Sequence, residues 1–234
     1  MDNILEIKNL NMRYGKTLAL KDVNLTIPRG KIIGLLGPNG SGKTTLIKTI
    51  MGLISDYKGD VRILGLPPGP AANGHISYLP DTNHVPTWFT VNRAIAFFAD
   101  FYKDFNAPQA REMLTGMNIP LNKTLSALSR GMREKVQLSL IMSRRADLYV
   151  LDEPIGAVDP ASREFIVETI LRNFPQTGSV LLSTHIITDI EPILDMAIFL
   201  KEGEVMMCDD ADKIREEHGK SLDGLFREVF RHVS

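Results

Sequence analysis

The segment from Gly37 to Thr44 contains glycines, a lysine and a threonine at the spacing G-x-x-x-x-G-K-[ST], directly after an apolar run. Glycines allow successive backbone N–H groups to turn inward around phosphate oxygens, and the N-terminus of a following helix adds a positive field. Lys43 is expected to reach the β- and γ-phosphates of ATP, and the Thr44 hydroxyl to ligate Mg²⁺. The predicted nucleotide contacts are Gly37, Pro38, Asn39, Gly40, Ser41, Gly42, Lys43, Thr44 and Thr45.

Two adjacent carboxylates, Asp152 and Glu153, end a second apolar run that begins at Leu148. The polarity of this strand end suits a Mg²⁺-binding aspartate, so Asp152 is predicted to hold the ion directly or through water. Glu153 would then face the γ-phosphate and polarise the attacking water. Together with Lys43, this pair predicts hydrolysis of ATP.

A third element, Leu128-Ser129-Arg130-Gly131-Met132, precedes an amphipathic helix. Here the chain resembles the nucleotide-binding subunits of ATP-binding cassette (ABC) transporters, whose signature is Leu-Ser-Gly-Gly-Gln. The chain keeps Leu128, Ser129 and Gly131 but has Arg130 and Met132 at the other two positions. A serine hydroxyl and free N–H groups at a helix N-terminus form an anion site. Since one phosphate loop is already present, Ser129 and Gly131 are expected to clamp the γ-phosphate held by another copy.

The resemblance implies roles for three further positions. Tyr14 lies where an aromatic residue stacks on adenine in the family, and Val158-Asp159-Pro160 resembles the loop that crosses between subunits. His185 resembles the switch histidine that contacts the γ-phosphate, which adds it to Glu153 and Lys43 as an expected catalytic residue.

One departure from the family lies at Asp81, where a glutamine usually reaches toward Mg²⁺ and the attacking water. Aspartate is shorter and adds negative charge near the phosphates, a cost that a directly bound Mg²⁺ would offset. Two interpretations stay open, a variant metal ligand and a side chain that faces solvent. Arg130 poses a similar question, because it could touch the partner's γ-phosphate or project into solvent.

The elements that must position these residues follow an α/β order. The resemblance implies a P-loop NTPase (RecA-like) core with an N-terminal antiparallel β subdomain and an inserted α-helical subdomain. We predict one domain over 1–234, with a nucleotide-binding core at 1–85 and 144–234 and a helical signature subdomain at 86–143. A helix is expected from about Gly42 to Gly52. Strands are predicted at Leu18–Ile27, Lys31–Leu36, Asp60–Leu64, His75–Leu79, Asp147–Asp152 and Ser179–Ser183. A hairpin is predicted with its turn at Glu202-Gly203, and two short helices are expected to follow it.

Helical periodicity replaces strand patterns between Val91 and Ser143. The helical spacing begins at Ala94 and continues through the aromatic residues Phe97, Phe98, Phe101 and Tyr102. These aromatic residues are interpreted as core rather than as a ligand site. The basic residues in and after the signature helix are interpreted as a solvated face; they are Arg133, Lys135, Arg144 and Arg145.

Composition limits the class of protein. Of 234 residues, 44% are hydrophobic and 24% charged, the values of an ordinary folded domain. A formal net charge of -1 gives no general attraction to nucleic acid. The apolar runs fall short of the roughly 20 residues that cross a bilayer, and the N-terminus lacks a secretory pattern. A single cysteine, Cys208, excludes an internal disulfide. We therefore expect a cytoplasmic location.

The leading hypothesis is an ATPase subunit that forms a homodimer, or a heterodimer with a similar cassette, around two ATP molecules. The resemblance implies separate transmembrane subunits, hence a peripheral position on the inner face of the cell membrane, and export as the direction. No nucleic acid partner is expected. One alternative is a soluble ABC ATPase acting on ribosomes, DNA or an assembly complex, and another is a catalytically weak, nucleotide-controlled interaction module.

Overall fold

The chain forms two β-sheets and a block of helices, seen in a computed structural model that describes residues 3–156, 159–173 and 178–230. The strands of the described residues are β1 Asn3–Tyr14, β2 Thr17–Pro28, β3 Ile32–Leu36, β4 Tyr57–Ile63, β5 Ile76–Leu79, β6 Leu148–Asp152, β7 Ser179–Thr184, β8 Met196–Lys201 and β9 Glu204–Asp210. The α-helices are α1 Lys43–Ile50, α2 Pro70–Asn73, α3 Val91–Phe101, α4 Ala107–Gly116, α5 Arg130–Met142, α6 Pro160–Asn173, α7 Ala211–His218 and α8 Leu222–Val229.

The central sheet has the strand order β5-β6-β7-β3-β8-β9, and its strands are parallel except for the antiparallel pair β8 and β9. Strands β3, β6 and β7 are buried at every position, as expected where helices cover both faces of a parallel sheet. Their register pairs Leu36 with Thr184 and Asp152 with Ser183. The carboxyl ends of the three strands therefore meet at one edge. The predicted P-loop core, α1 and the β8–β9 hairpin are confirmed.

A smaller antiparallel sheet, in the order β2-β1-β4, packs beside this core. The sequence patterns did not single out β1, and the structure gives the reason. Its pairing with β2 shifts register at several points, and Asn9 and Asp22 adopt positive φ angles of 51° and 46°. Such irregularities interrupt the alternation by which a strand is recognised.

Helices α3, α4 and α5 form the block between β5 and β6. Each begins at a side-chain cap, in which Thr90, Asn106 and Ser129 accept hydrogen bonds from the backbone N–H groups of Arg93, Gln109 and Met132. The aromatic residues divide between two environments. Phe98 is buried, whereas Phe97 and Phe101 are exposed, so only part of the cluster is core.

Arg144 corrects the interpretation of the basic face. It is only 4% exposed, and its guanidinium pairs with Asp104 and donates to the carbonyls of Ile76 at 2.5 Å and Gly74 at 3.3 Å. The group also lies over the ring of Tyr102. A buried arginine needs these partners, and through them it joins the base of the helical block to the strand β5.

The two helices predicted at the C-terminal end are α7 and α8. Glu191 accepts hydrogen bonds from the backbone N–H groups of Leu222 and Asp223 and pairs with Arg215. This carboxylate therefore fastens the start of α8 to the segment that follows β7. Within the described ranges, none of the helices is both long and apolar enough to cross a membrane.

Candidate functional site

The glycine-rich loop lies between the end of β3 and the start of α1. Gly42, with φ of 109°, turns the chain into the helix, so its backbone conformation disfavours other residues. At Gly37 a Cβ would lie 2.4 Å from the carbonyl oxygen of Leu200, which leaves no room for a side chain. The N–H of Gly203 donates to the carbonyl of Ser41 at 2.8 Å. The β8–β9 turn thus supports the loop from behind.

Lys43 is buried at the centre of this loop, with 5% of its side chain exposed. Its ammonium group donates to the carbonyls of Gly37 at 2.7 Å and Pro38 at 3.2 Å. It also forms an ion pair with Glu153 at 3.2 Å. The structure therefore brings two of the three predicted catalytic residues into contact.

Glu153 also meets the third predicted catalytic residue. Its second carboxylate oxygen lies 3.0 Å from Nδ1 of His185. The backbone of Glu153 has a positive φ of 51°, and its N–H donates to the hydroxyl and carbonyl oxygens of Ser183. Strained backbone of this kind costs about 1–3 kcal/mol and is concentrated at functional sites. The carboxylate is held between Lys43 and His185.

Asp152 is almost fully buried at the end of β6. One carboxylate oxygen accepts a hydrogen bond from the Ser183 hydroxyl at 2.6 Å and lies 3.4 Å from the Thr44 hydroxyl. Burial raises the pKa of Asp152, the hydrogen bonds from Ser183 and Thr44 oppose this shift, and the negative charges of Asp81 and Glu153 add to it. A cation beside this carboxylate would stabilise its ionised form.

The chemistry of this edge suits Mg²⁺. Among the described residues, the second oxygen of Asp152 has no hydrogen-bond partner, although it is buried. Mg²⁺ is commonly held by one or two carboxylates together with phosphate oxygens and water. No cluster of three or more metal-binding side chains occurs in the described ranges. The Asp152 carboxylate and the Thr44 hydroxyl, whose oxygens lie 3.4 Å apart, are donors of the kind that Mg²⁺ prefers.

A surface pocket of about 540 Å³ opens over the loop. This size falls within the range of small-molecule sites. Tyr14, 53% exposed, stands at its margin. Its lining includes Tyr14, Thr17, Leu18, Ala19, Lys21, Asn39, Gly40, Gly42, Lys43, Thr44, Thr45, Asp81, Glu153 and Glu202. The pocket thus lies between the smaller sheet and the loops that follow the strands of the central sheet.

The Ser129 segment lies elsewhere. Ser129 caps α5 and Gly131 lies in its first turn, and neither contributes to the lining of the pocket over Lys43. Arg130, with 66% of its side chain exposed, forms an ion pair with Glu134 at 3.0 Å. The structure does not bring the two predicted phosphate sites of one chain together.

Asp159 immediately precedes α6, and its carbonyl accepts the N–H of Arg163 at 3.1 Å. It does not line the pocket either. Val158, the first residue of the predicted crossing loop, lies outside the described residues.

Three residues at or near the site were missed by the sequence patterns. Ser183 holds both Asp152 and the backbone of Glu153, and a buried hydroxyl at the end of an apolar strand could have indicated it. Glu202 and Lys21 lie at the pocket margin because of tertiary packing, for which the sequence carries no local signal.

The chain is similar in sequence and in structure to known proteins. The family model described as ABC transporter matches residues 20–156. ABC transporter ATP-binding protein YtrB of Bacillus subtilis (strain 168) is 30% identical over 220 residues, which cover 93% of this chain and 75% of that protein. SkfA peptide export ATP-binding protein SkfE of the same strain is 30% identical over 210 residues, covering 87% of each chain. A structure described as the ATP binding subunit of an ABC transporter matches with a TM-score of 0.86 at 29% identity, covering 97% of this chain and 99% of that one.

Proposed function

The chain belongs to the ABC transporter family as an ATP-binding subunit, and we propose that two copies, or one copy and a similar cassette, close around Mg²⁺-ATP to hydrolyse it. The observation that carries this proposal is the contact of Lys43 with Glu153 and of Glu153 with His185 at the end of β6. This arrangement contains a cation for the phosphates and a carboxylate base in one place.

Lys43 and Glu153 form an ion pair at 3.2 Å. The phosphates of ATP carry the negative charge that Lys43 needs, so their binding releases Glu153 from the pair. The freed carboxylate can then accept a proton from the attacking water, while His185 holds its other oxygen. The ion held by Asp152 and Thr44, and in our proposal by Asp81, would supply positive charge to the β- and γ-phosphates.

The position of Ser129 and Gly131 supports the proposed dimer. They offer a second anion site at the start of α5, outside the pocket that Lys43 lines. We propose that this site clamps the γ-phosphate held by the other subunit, with Asp159 near the junction and Tyr14 against adenine.

The force of closure is proposed to act on separate transmembrane subunits. Trp88, Phe97 and Phe101 are large apolar side chains exposed at 61%, 46% and 68%. Phe97 and Phe101 stack on each other on α3, and Trp88, which precedes α3, contacts Phe89, whose ring also meets Phe97. Exposed apolar groups that lie together suit a protein partner. We propose that a cytoplasmic segment of the membrane partner docks there, with this chain on the inner face of the membrane. Export is the proposed direction, as the name of SkfE states for that relative.

The Glu153→Gln variant tests the catalytic part of the proposal. Glutamine keeps the shape of the side chain but cannot take the proton, so ATP should bind and remain, and the mass measured by light scattering should rise from one chain to two. Wild-type protein with ADP is the control. If the variant stays monomeric with Mg²⁺-ATP and turns over at the wild-type rate, Glu153 is not the base.

Affinity purification from detergent-solubilised membranes tests the partner. Recovery of a polytopic membrane protein, lost when Phe97 and Phe101 are both changed to serine, supports the transport role. Recovery of ribosomes or DNA instead would favour a soluble ABC ATPase and overturn it.

A further inference from the structure

We propose that Gln137 is a positioning residue that ties the Asp81 loop, defined as residues 80–86, to helix α5. This inference rests on the proposed function, because it concerns how Asp81 is held toward the metal side of the ATP site. It gives the signature helix a physical connection to that side.

The position of Gln137 on α5 is unusual for its chemistry. The side chain is only 7% exposed, on a helix whose neighbouring residues Val136 and Leu138 are buried apolar groups. A buried amide is costly unless it forms hydrogen bonds. Its Oε1 accepts the backbone N–H of His84 at 3.3 Å. A hydrogen bond therefore leads from the helix into the Asp81 loop.

The loop has few other attachments. Among the described residues, hydrogen bonding between residues 81–85 and a different part of the chain runs from His84 to Gln137, through the backbone N–H and the side chain of His84. Burial of Val85 and the edge contact of the His84 ring with Phe98 complete its anchoring. Asp81 itself is exposed, so its position depends on how these residues hold the backbone.

A cavity of about 220 Å³ separates α5 from the ends of β5 and β6. Gln137 lines it together with Asp81, Asp152 and Glu153, and Asp81 also lines the pocket over Lys43. The five α5 residues in the cavity wall fall on one helical face, at positions i, i+3, i+4, i+7 and i+8; they are Arg130, Arg133, Glu134, Gln137 and Leu138. Gln137 is the member of this face that contacts the loop.

The connection runs along a rigid element. Ser129 caps the start of α5, and Gln137 lies eight positions later on the same helix, about 12 Å along its axis. If α5 shifts when Ser129 binds a phosphate, Gln137 shifts with it, because both residues belong to the same helix. The hydrogen bond from His84 to Gln137 then moves the Asp81 loop. This supplies a route by which closure at the signature adjusts Asp81.

Gln137→Met tests the inference, because methionine matches the length of glutamine but cannot accept the His84 hydrogen bond. We expect faster amide hydrogen exchange in residues 81–85. The Mg²⁺ concentration that half-saturates the increase in ATP affinity should rise about two- to fivefold, which lies within the range for loss of one ordinary hydrogen bond and does not exceed the effect of losing the Asp81 charge. Gln137→Glu keeps an acceptor oxygen and should restore the slow exchange.

Ser139→Ala is the matched control, since Ser139 is buried on the same helix and does not line the cavity. It should leave both readouts unchanged. A double-mutant cycle separates positioning from a general loss of stability: in an Asp81→Asn background, Gln137→Met should shift the Mg²⁺ dependence no further. No shift with Gln137→Met alone, or a full additional shift in the Asp81→Asn background, would overturn the inference.

The proposed function is judged by different results. ATP hydrolysis by the wild type and the ATP-dependent dimer of Glu153→Gln would stand even if Gln137 proved unimportant. Their absence would remove the proposed function, whereas amide exchange at 81–85 reports directly on the loop.

Discussion

The two predicted phosphate sites of this chain differ in how completely they are built. The first, at the ends of β3, β6 and β7, buries Lys43 and Asp152 to 5% and 1% exposure and satisfies Lys43 with contacts inside the same chain. The second, at the start of α5, leaves Ser129 and Arg130 at the surface. The first is organised by contacts within the chain, and in our proposal the second is completed by another subunit.

This difference predicts which property each kind of mutation should change. Changes at the buried site should alter what a single chain does with nucleotide. Changes at α5 should leave that binding intact and alter only what a pair of chains does. The following variants test the division, beginning with the largest expected effect.

Lys43→Met should have the largest effect, because it removes the cation from the loop but keeps the aliphatic stem packed. We expect ATP hydrolysis to fall at least about a hundredfold, with weaker ATP binding by the isolated chain measured by calorimetry. Lys48→Met, on the last turn of the same helix, is the control. Normal ATP binding and turnover by Lys43→Met would contradict the role of the buried site.

Ser129→Asp should reduce hydrolysis by about ten- to hundredfold, because a carboxylate repels the γ-phosphate of the opposite subunit. Aspartate is as good a helix cap as serine, so thermal stability should not change. ATP binding by the monomer should also stay at the wild-type level. Ser129→Asn keeps the cap without the charge and should lose much less activity. A weakened monomer affinity for ATP in Ser129→Asp would break the division between the two sites.

Asp81→Asn should raise the Mg²⁺ concentration needed for half-maximal hydrolysis by about two- to fivefold, the scale for one exposed charge interaction. The measurement is a Mg²⁺ titration at saturating ATP, with Asp56→Asn as a control far along the chain. Unchanged hydrolysis and Mg²⁺ dependence would leave the solvent-facing interpretation of Asp81.

Asp152→Asn should stabilise the nucleotide-free protein while abolishing the metal-dependent gain in ATP affinity. Its raised pKa means that the folded state holds a proton at higher pH than the unfolded chain does, so stability falls as pH rises through that window. Relief of about 1 kcal/mol corresponds to roughly 2–4 °C in melting temperature at neutral pH.

Thermal melts of Asp152→Asn and the wild type at several pH values provide the measurement. The advantage of the variant should shrink as pH is lowered, because the wild-type carboxyl then becomes neutral too. An advantage that stays constant with pH would mean that the charge of Asp152 is not what costs stability.

The buried site was the more predictable of the two regions, for a physical reason. Its residues are contiguous in the sequence, as in the loop from Gly37 to Thr44, or end strongly apolar strands, as Asp152 does. The family membership and fold class predicted from these motifs are confirmed. The roles of the individual residues remain predictions that the variants above address.

Contacts between distant residues could not be predicted. Nothing near Gln137 indicates that it meets His84, and Arg144 looks like another solvent-facing cation until Asp104 and the end of α2 surround it. Strand β1 was obscured by its bulges. For Gln137 and Arg144 the partner is far away in the sequence, so the local pattern carries no record of it.

The anchoring of Arg144 has a mechanical consequence for α5. The helix is held just beyond its end at Met142, whereas in the part of the chain that the structure describes its start at Ser129 has no comparable attachment to the central sheet. Its 13 residues make a lever arm about 20 Å long. If α5 tilted by about 10° about its end near Arg144, Ser129 would move by about 3–4 Å, roughly the length of a hydrogen bond. A slight turn at the fixed end is therefore enough to engage or release a phosphate at the free end.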